Sequence, residues 1–445
     1  MKLFNLNLKT IGQILFVIVF FSTSPAKSLD KFNSAERISN YFSGILLLNE
    51  NKYEKSSGFL KKLNGLETSH INYSIKYLYT LVNSGNLKEA FNYAKKLEKQ
   101  KLDSFESHII MGVVYLRNSE IDLAQEYFLK AKTSNAGFIL NNYISSSIYN
   151  WSDLDNHNLN QAIIKLEKLD ERFENLKNIQ KVFLHCYFNS PNTNSLFKKL
   201  TSNKKIDFSR YNYFHASYLV SSKKISEAKN IINSSLKSYP RNLLLNQYKR
   251  DLNGNKNILV FDCKNKAHVI AEILYITSNA LSSQSIYSLS NFYLNLAIYL
   301  NKDFHSYEAL LAENFFKNDN IKKAKKIYTF LSNKGKSFQW YSAKQLAKIY
   351  IKEGKKDKAI KLLSDVYKNL DTKDIYEIFD YAEFLKNNEK FKDSIPYYSK
   401  IIDNIEKDNP LYAEATDGRG IAFERINEWD KAEKDLLASL KADPE

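Results

Sequence analysis

Glycine and proline are scarce in this sequence. Across 445 residues there are twelve glycines and six prolines, each less than half of what average usages of roughly 7% and 5% would give. Turn-rich all-β folds and disordered linkers rich in proline and glycine depend on these residues, so both are disfavoured. The composition instead favours long helices with few interruptions.

Cysteine and histidine are also few. Cys186 and Cys263 are the only cysteines, too few for a disulfide framework and at no metal-ligand spacing. A single bridge in an oxidising compartment and two buried thiols remain open alternatives. The seven histidines are scattered, and none belongs to a paired ligand motif with glutamate or cysteine. We therefore expect no metal and no cofactor.

No set of residues has the pattern of a catalytic site. His185 and Cys186 are neighbours in sequence, but adjacent residues on a helix point about 100° apart, so they do not form a nucleophile and its base. The pair Gly418 and Gly420 has no strand before it and is not a phosphate-binding loop. We predict no catalytic residues and no enzyme activity.

The chain carries an excess of positive charge. Sixty-five basic and 49 acidic residues give a net charge of +16. Because the lysines are distributed along the chain, the favoured interpretation is a solvated helix surface, with no nucleic-acid partner. The alternative is a basic platform for an anionic polymer or lipid, which requires lysines concentrated on one face.

The first 28 residues resemble a secretory signal peptide. Lys2 and Lys9 precede an apolar run from Ile11 to Phe21, and small and polar residues follow it. The run is about half the ~20 residues that span a bilayer. We predict cleavage, export to the periplasm or envelope, and no integral membrane span in the mature chain. An uncleaved anchor is the alternative.

Small and aromatic residues recur with a period close to 34 residues. In the unit that begins at Phe105, Gly112, Ala124 and Phe128 stand at positions 8, 20 and 24. Three units begin 34 residues apart, at Arg37, Ile71 and Phe105. The pattern resembles the tetratricopeptide repeat (TPR), and more broadly the signal-peptide-bearing TPR proteins of alphaproteobacteria. In that family, small residues at positions 8 and 20 let two antiparallel helices approach closely.

A second array follows the same frame more regularly. Its units begin at Ala271, His305, Trp340, Ile375 and Ala413. In the last unit Gly420, Trp429 and Ala432 occupy positions 8, 17 and 20. The chain stops after this unit without the polar capping helix that solenoids need, so we expect a truncated chain.

The resemblance implies an all-α fold, an α-solenoid in which TPR-like helical hairpins form a right-handed superhelix. Between the arrays one clear unit begins near Ser209, and the apolar run from Ile258 to Phe261 predicts a break or a local strand, with the likeliest hinge there. The predicted segments are a signal peptide (1–28), an N-terminal TPR-like array (29–135), divergent helical repeats (136–250), a linker (251–266) and a C-terminal TPR array (267–445).

The family also implies a site. Positions 2, 5, 9 and 12 of the first helix line the concave groove and contact a peptide or helix of a partner protein. Carried over to this sequence, they give the expected partner-binding residues Ile38, Tyr41, Ile45, Leu48, Ile75, Tyr79, Val82, Ile109 and Val113 in the N-terminal array and Tyr341, Lys344, Lys348, Tyr376 and Phe379 in the C-terminal array. The N-terminal set is mostly apolar, so it binds an apolar partner, is filled by another part of this chain, or is simply packed.

The expected function is a non-catalytic protein–protein interaction scaffold of the cell envelope. The alternatives are the basic platform and an enzyme hidden in the divergent region 136–260.

Overall fold

The computed structural model describes residues 35–134, 138–202, 208–254, 256 and 259–443. The predicted signal peptide lies outside these residues. Within them every regular element is a helix and no strand occurs. The protein is an all-α solenoid built from antiparallel helix pairs, which confirms the predicted fold class.

The chain divides after Ser107 into two compact units, each described here by itself. The N-terminal unit (described residues 35–107) contains two helix pairs and one short 3-10 helix. Its four complete α-helices are α1 (Ala35–Asn49), α2 (Tyr53–Lys61), α3 (Ile71–Asn83) and α4 (Leu87–Lys99). The 3-10 helix is Leu66–Thr68. The division falls inside α5 (Phe105–Arg117).

The C-terminal unit (described residues from His108 onward) continues the series. Its first helices after α5 are α6 (Ile121–Thr133), α7 (Ile139–Ser152), α8 (Leu159–Glu167), α9 (Glu174–Tyr187), α10 (Thr193–Thr201), α11 (Ser209–Ser221), α12 (Ile225–Ser238) and α13 (Leu243–Asn253). Two 3-10 helices, Leu154–Asn156 and Glu171–Phe173, lie between α7 and α9.

The second array supplies the remaining five helix pairs. They are α14 (Lys266–Ser283) with α15 (Tyr287–Leu300), α16 (Ser306–Lys317) with α17 (Ile321–Leu331), α18 (Lys336–Lys352) with α19 (Lys356–Lys368), α20 (Ile375–Asn387) with α21 (Phe391–Ile402), and α22 (Pro410–Arg425) with α23 (Trp429–Ala442).

Glycine at position 8 allows the two helices of a pair to touch. A Cβ added to Gly112 would lie 2.4 Å from the ring of Phe128, the residue at position 24. The same approach joins Gly44 to Leu60 and Gly420 to Leu436, again positions 8 and 24. Real Cβ atoms do not approach other atoms so closely, and close-packed interiors cannot absorb the added atom without shifting. The repeat frame predicted the close approach of the two helices at position 8, and the structure shows that the residue at position 24 of the same pair is what position 8 contacts.

The turn inside each predicted pair has one backbone conformation. Position 15 has a φ between +55° and +85° in all nine predicted units. The residues are Asn51, Gly85, Ser119, Lys223, Ser285, Asp319, Gly354, Glu389 and Asn427. This left-handed conformation reverses the chain between the two helices. Asn189 has a φ of +51° and marks a further unit that begins at Asn175, 34 residues before Ser209.

The core of each pair is completed by the next pair. Trp340, Ala347 and Leu363 of the α18–α19 pair share one apolar cluster with Tyr381 and Leu385 of α20. A second cluster joins α20 and α21 to Leu411 and Ala415 of α22. A pair therefore buries its apolar face only by stacking on its neighbour, as a solenoid requires.

The described residues of the predicted linker 251–266 make contacts within the C-terminal unit. Residues 251–253 end α13 and Lys266 begins α14, and the described residues between them contain no strand. Phe261 is buried against the rings of Phe183 and Phe214, with centroid distances of 5.3 and 4.5 Å. Cys263 forms a disulfide with Cys186. The segment is thus packed into the C-terminal unit at several points.

Candidate functional site

The predicted groove of the N-terminal unit lies on α1 and α3. Tyr41 and His70 join the two helices, since the Tyr41 hydroxyl and His70 Nε2 are 2.9 Å apart. Ile38 is 49% exposed, and Ile45, Ile75 and the ring of Tyr41 are half-buried. Partial burial raises the pKa of the Tyr41 hydroxyl, so it stays protonated at neutral pH.

An exposed apolar stripe extends this surface along α1. Phe42 is 66% exposed and Leu46 is 60% exposed, and both follow Ile38 at intervals of four residues, on one face of the helix. Tyr79 is half-buried on α3 and its hydroxyl donates a hydrogen bond to the Glu106 carboxylate at 3.0 Å. We call the surface formed by Ile38, Tyr41, Phe42, Ile45, Leu46, Ile75 and Tyr79 the N-terminal groove.

Five of the predicted partner-binding residues are buried. They are Leu48, Val82, Ile109, Val113 and Phe379, each at most 7% exposed. The first four belong to the apolar core, the packing alternative that the sequence left open. Their side chains therefore pack within the fold.

Most of the predicted partner-binding residues of the C-terminal array contact other residues of the same chain. The Tyr341 hydroxyl donates to the Glu313 carboxylate at 2.6 Å, and burial raises the pKa of Tyr341. Lys344 forms an ion pair with Asp380. Lys348 is exposed. Tyr376 is half-buried and lies under the Arg241 guanidinium, 5.0 Å from the ring centroid.

Helix α13 and the residues before it cover this part of the array. Arg241 Nε donates to Asp380 Oδ1 at 3.1 Å, and the Arg250 guanidinium makes two bonds to Glu377, at 2.7 and 2.9 Å. Gln247 Oε1 accepts a hydrogen bond from the Ser337 backbone at 3.0 Å. The N-terminal ends of α18 and α20 are therefore occupied by a segment of the same chain, an alternative that the sequence raised only for the N-terminal array.

A buried arginine links α11 to the second array. Arg210 pairs with Glu272 through bonds of 2.7 and 2.8 Å, and its guanidinium lies 3.8 Å from the ring centroid of Tyr275. Burial opposes the charge, but the Glu272 carboxylate outweighs that effect and raises the pKa of Arg210 above its ordinary value. The group is charged at every accessible pH and holds the two segments together.

A cavity of about 1080 Å³ lies between α13 and the loops before α16 and α18. Its lining includes lysines and aspartates together, among them Lys334, Lys336, Asp251 and Asp303. Burial raises the pKa of Asp251. Because both charges are present, the lining favours neither an anionic nor a cationic ligand.

The neighbouring residues His185 and Cys186 are both bonded to other residues of the fold. The sulfur of Cys186 is bonded to Cys263, with a Cα–Cα distance of 6.0 Å that is ordinary for a disulfide. His185 Nδ1 and the Ser190 hydroxyl are 2.8 Å apart. Among the described residues no three histidine, cysteine or acidic side chains are grouped as a metal would require. In the same part of the chain, no helix is both long enough and apolar enough to cross a bilayer.

No protein-family model matches the chain, and no curated protein matches its sequence. Solved structures of similar fold include the APC/C hetero-tetramer Cut9-Hcn1, with 13% identity, a TM-score of 0.30, and coverage of 91% of this chain and 80% of that one. The P58(IPK) TPR domain shows 14% identity, a TM-score of 0.25, and coverage of 88% and 99%. Yeast Tom70 shows 13% identity, a TM-score of 0.32, and coverage of 91% and 92%. Likenesses this weak carry no conclusion about function.

Proposed function

We propose that this protein is a non-catalytic interaction scaffold of the cell envelope and that the N-terminal groove binds an apolar segment of a partner protein. The observation that carries the proposal is the exposed stripe of Ile38, Phe42 and Leu46, each at least 49% exposed. Apolar side chains in a continuous stripe at helical spacing are the surface that an amphipathic helix recognises. Half-buried Tyr41 adds an aromatic ring beside the stripe, 5.8 Å from the ring of Phe42.

Two features support the envelope location. The N-terminal residues have the charge, apolar run and small residues of a signal peptide. The Cys186–Cys263 disulfide suits an oxidising compartment, because disulfides are rare in reducing cytosol. Fusing residues 1–40 to a reporter that is active only after export tests this part, and a reporter that stays in the cytosol contradicts it.

Binding is tested by capturing partners from envelope extracts with two variants of equal charge. Tyr41→Glu/Ile75→Glu places carboxylates in the N-terminal groove, where they would have to be desolvated by an apolar partner. Gly58→Glu/Asn92→Glu places the same charge at exposed sites on α2 and α4. We expect the groove variant to lose specific partners that the control retains. Identical capture by the two variants contradicts the groove.

A further inference from the structure

The positive charge of the chain is concentrated in one stretch. Residues 317–361 contain fourteen lysines and three acidic residues, which is +11 of the net +16. This stretch covers the last residue of α16, all of α17 and α18, and the first turns of α19. Lysines occur along the whole chain, but the excess of positive charge over negative charge is concentrated in this stretch, and a count in successive windows reveals the concentration.

Packing brings lysines of α17, of α19 and of the turn before α19 to one place. Lys325 and Lys355 both donate to the Glu353 carboxylate, at 3.0 and 2.7 Å. The Lys325 and Lys358 ammonium groups lie 4.4 and 4.6 Å from the ring centroid of Tyr350. One glutamate and one aromatic ring at the end of α18 are thus surrounded by three ammonium groups, and hydrogen bonds from Lys355 and Lys325 lower the pKa of Glu353.

Further lysines extend the cluster along both helices. Lys322 precedes Lys325 by one turn of α17, Lys326 follows it, and Lys361 lies one turn beyond Lys358 on α19. Lys322, Lys326 and Lys361 are exposed and form no ion pair within the described residues. We call these six lysines, Lys322, Lys325, Lys326, Lys355, Lys358 and Lys361, the basic face.

We propose that the basic face docks on anionic lipid headgroups at a membrane surface. The lysines come from α17, from α19 and from the turn before α19, so they form a broad patch instead of a groove around a single chain. Exposed apolar side chains lie close to them in sequence: Phe330 is 44% exposed one turn after Lys326, and Ile351 is 38% exposed next to Tyr350, the ring that Lys325 and Lys358 contact. Lysines with neighbouring apolar side chains fit the boundary between headgroups and acyl chains.

Vesicle binding by the full chain tests the proposal. Sedimentation with phosphatidylglycerol-containing vesicles measures docking, and pure phosphatidylcholine vesicles measure the binding that does not depend on anionic headgroups. The variant Lys322→Gln/Lys326→Gln/Lys361→Gln removes three charges without breaking an ion pair. We expect it to weaken binding to the anionic vesicles at least tenfold, and we expect wild-type binding to fall steeply with salt.

The control removes the same charge elsewhere. Lys88→Gln/Lys168→Gln/Lys237→Gln lowers the net charge by an equal amount at exposed sites on other helices or beside them. Circular dichroism and thermal melts verify that both triple variants fold. Equal weakening by the two variants overturns the proposal, since it assigns binding to net charge. Wild-type binding to polyglutamate without binding to anionic vesicles overturns it as well, in favour of an acidic protein partner.

Discussion

At position 15 of the repeat, the backbone conformation affects stability more than the chemistry of the side chain does. Lys223 adopts a φ of +61° there, and Gly354 adopts +73°. An L-residue in the left-handed region loses about 1 kcal/mol relative to glycine. Lys223→Gly should therefore raise the free energy of unfolding by about 1 kcal/mol. The melting temperature should rise with it. Gly354→Ala should lower the free energy by a similar amount, because no atom contacts the added methyl and only the backbone is strained.

Gly58 supplies the control for that pair of substitutions. It lies inside α2 with open space around its missing Cβ and without a positive φ. Gly58→Ala should raise the free energy of unfolding by about 0.5–1 kcal/mol, as alanine does in a helix. Calorimetry on the three variants gives the signs. Stabilisation by Gly354→Ala would show that the turn is not strained.

The sequence reveals the close helix contact at position 8, but it does not reveal the left-handed conformation at position 15. The difference has a physical reason. Position 8 excludes all but small side chains, so Gly44, Gly112 and Gly420 are visible in the sequence. Position 15 is a turn residue that is exposed in every predicted unit except the first, where Asn51 is buried, and the packing of two helices imposes its conformation. Side chains as different as those of Lys223 and Glu389 meet that demand, so the residue type carries little information.

His215 makes stability depend on pH. Its Nε2 donates to Asn194 Oδ1 at 2.6 Å and its ring stacks on Phe197 at 5.2 Å. Burial lowers the pKa of His215 from 6.5 to about 4. The folded state therefore favours the neutral ring, and this contribution is complete above pH 6.5 and is lost as the pH falls towards about 4. At 1.36 kcal/mol per pKa unit the loss is about 3 kcal/mol.

Urea denaturation between pH 7 and pH 4 measures this effect. The wild type should lose more stability than His215→Gln across that window, because glutamine does not titrate. The difference between the two curves isolates His215 from carboxylates that titrate in both proteins. Parallel curves would contradict the lowered pKa.

At the scale of elements, α13 acts as a brace on the second array. Arg250 and Glu377 are mostly buried, with side-chain exposures of 19% and 9%. Arg241 is 48% exposed in its pair with Asp380. Breaking a buried pair leaves an unpaired carboxylate, whereas an exposed pair contributes at most about 1 kcal/mol. Arg250→Ala should therefore lower the free energy of unfolding by about 3 kcal/mol. Arg241→Ala should lower it by less than about 1 kcal/mol.

Hydrogen exchange shows whether the loss of stability in Arg250→Ala arises where α13 contacts the second array. In Arg250→Ala, amides of α13 and of the first turns of α20 should exchange faster, while those of α22 and α23 should not change. Arg241→Ala is the matched control on the same segment. Equal effects of the two substitutions would contradict the role of burial.

This brace could not be read from the sequence. The repeat period describes contacts between neighbouring pairs, as in the cluster of Trp340 with Tyr381. Arg241 and Asp380 are 139 residues apart, and no spacing rule connects them. The periodic pattern therefore predicts groove positions in the second array, but it could not show that part of the same chain covers Tyr376 and Phe379.

At the scale of the whole molecule, the C-terminal unit is more than a linear stack. A simple array has only contacts between neighbouring repeats, and its stability is a sum of local terms. Here Arg210 pairs with Glu272 across 62 residues, and Cys186 is bonded to Cys263 across 77 residues. These links tie the divergent helices to the second array, so we expect the region they enclose to unfold cooperatively.

The disulfide variant Cys186→Ser/Cys263→Ser tests that cooperativity. A closed loop of this length constrains the unfolded chain by about 4 kcal/mol, so the oxidised wild type should exceed the variant by that order in free energy of unfolding. Loss of the bond should also speed amide exchange in α9, α11 and the first turns of α14 together, because Phe261 packs on Phe183 and Phe214. The helices α22 and α23 serve as the internal control, since they lie outside the closed loop. If exchange changed only beside the two substituted residues, the region would behave as independent repeats. The disulfide would then stabilise only its immediate surroundings.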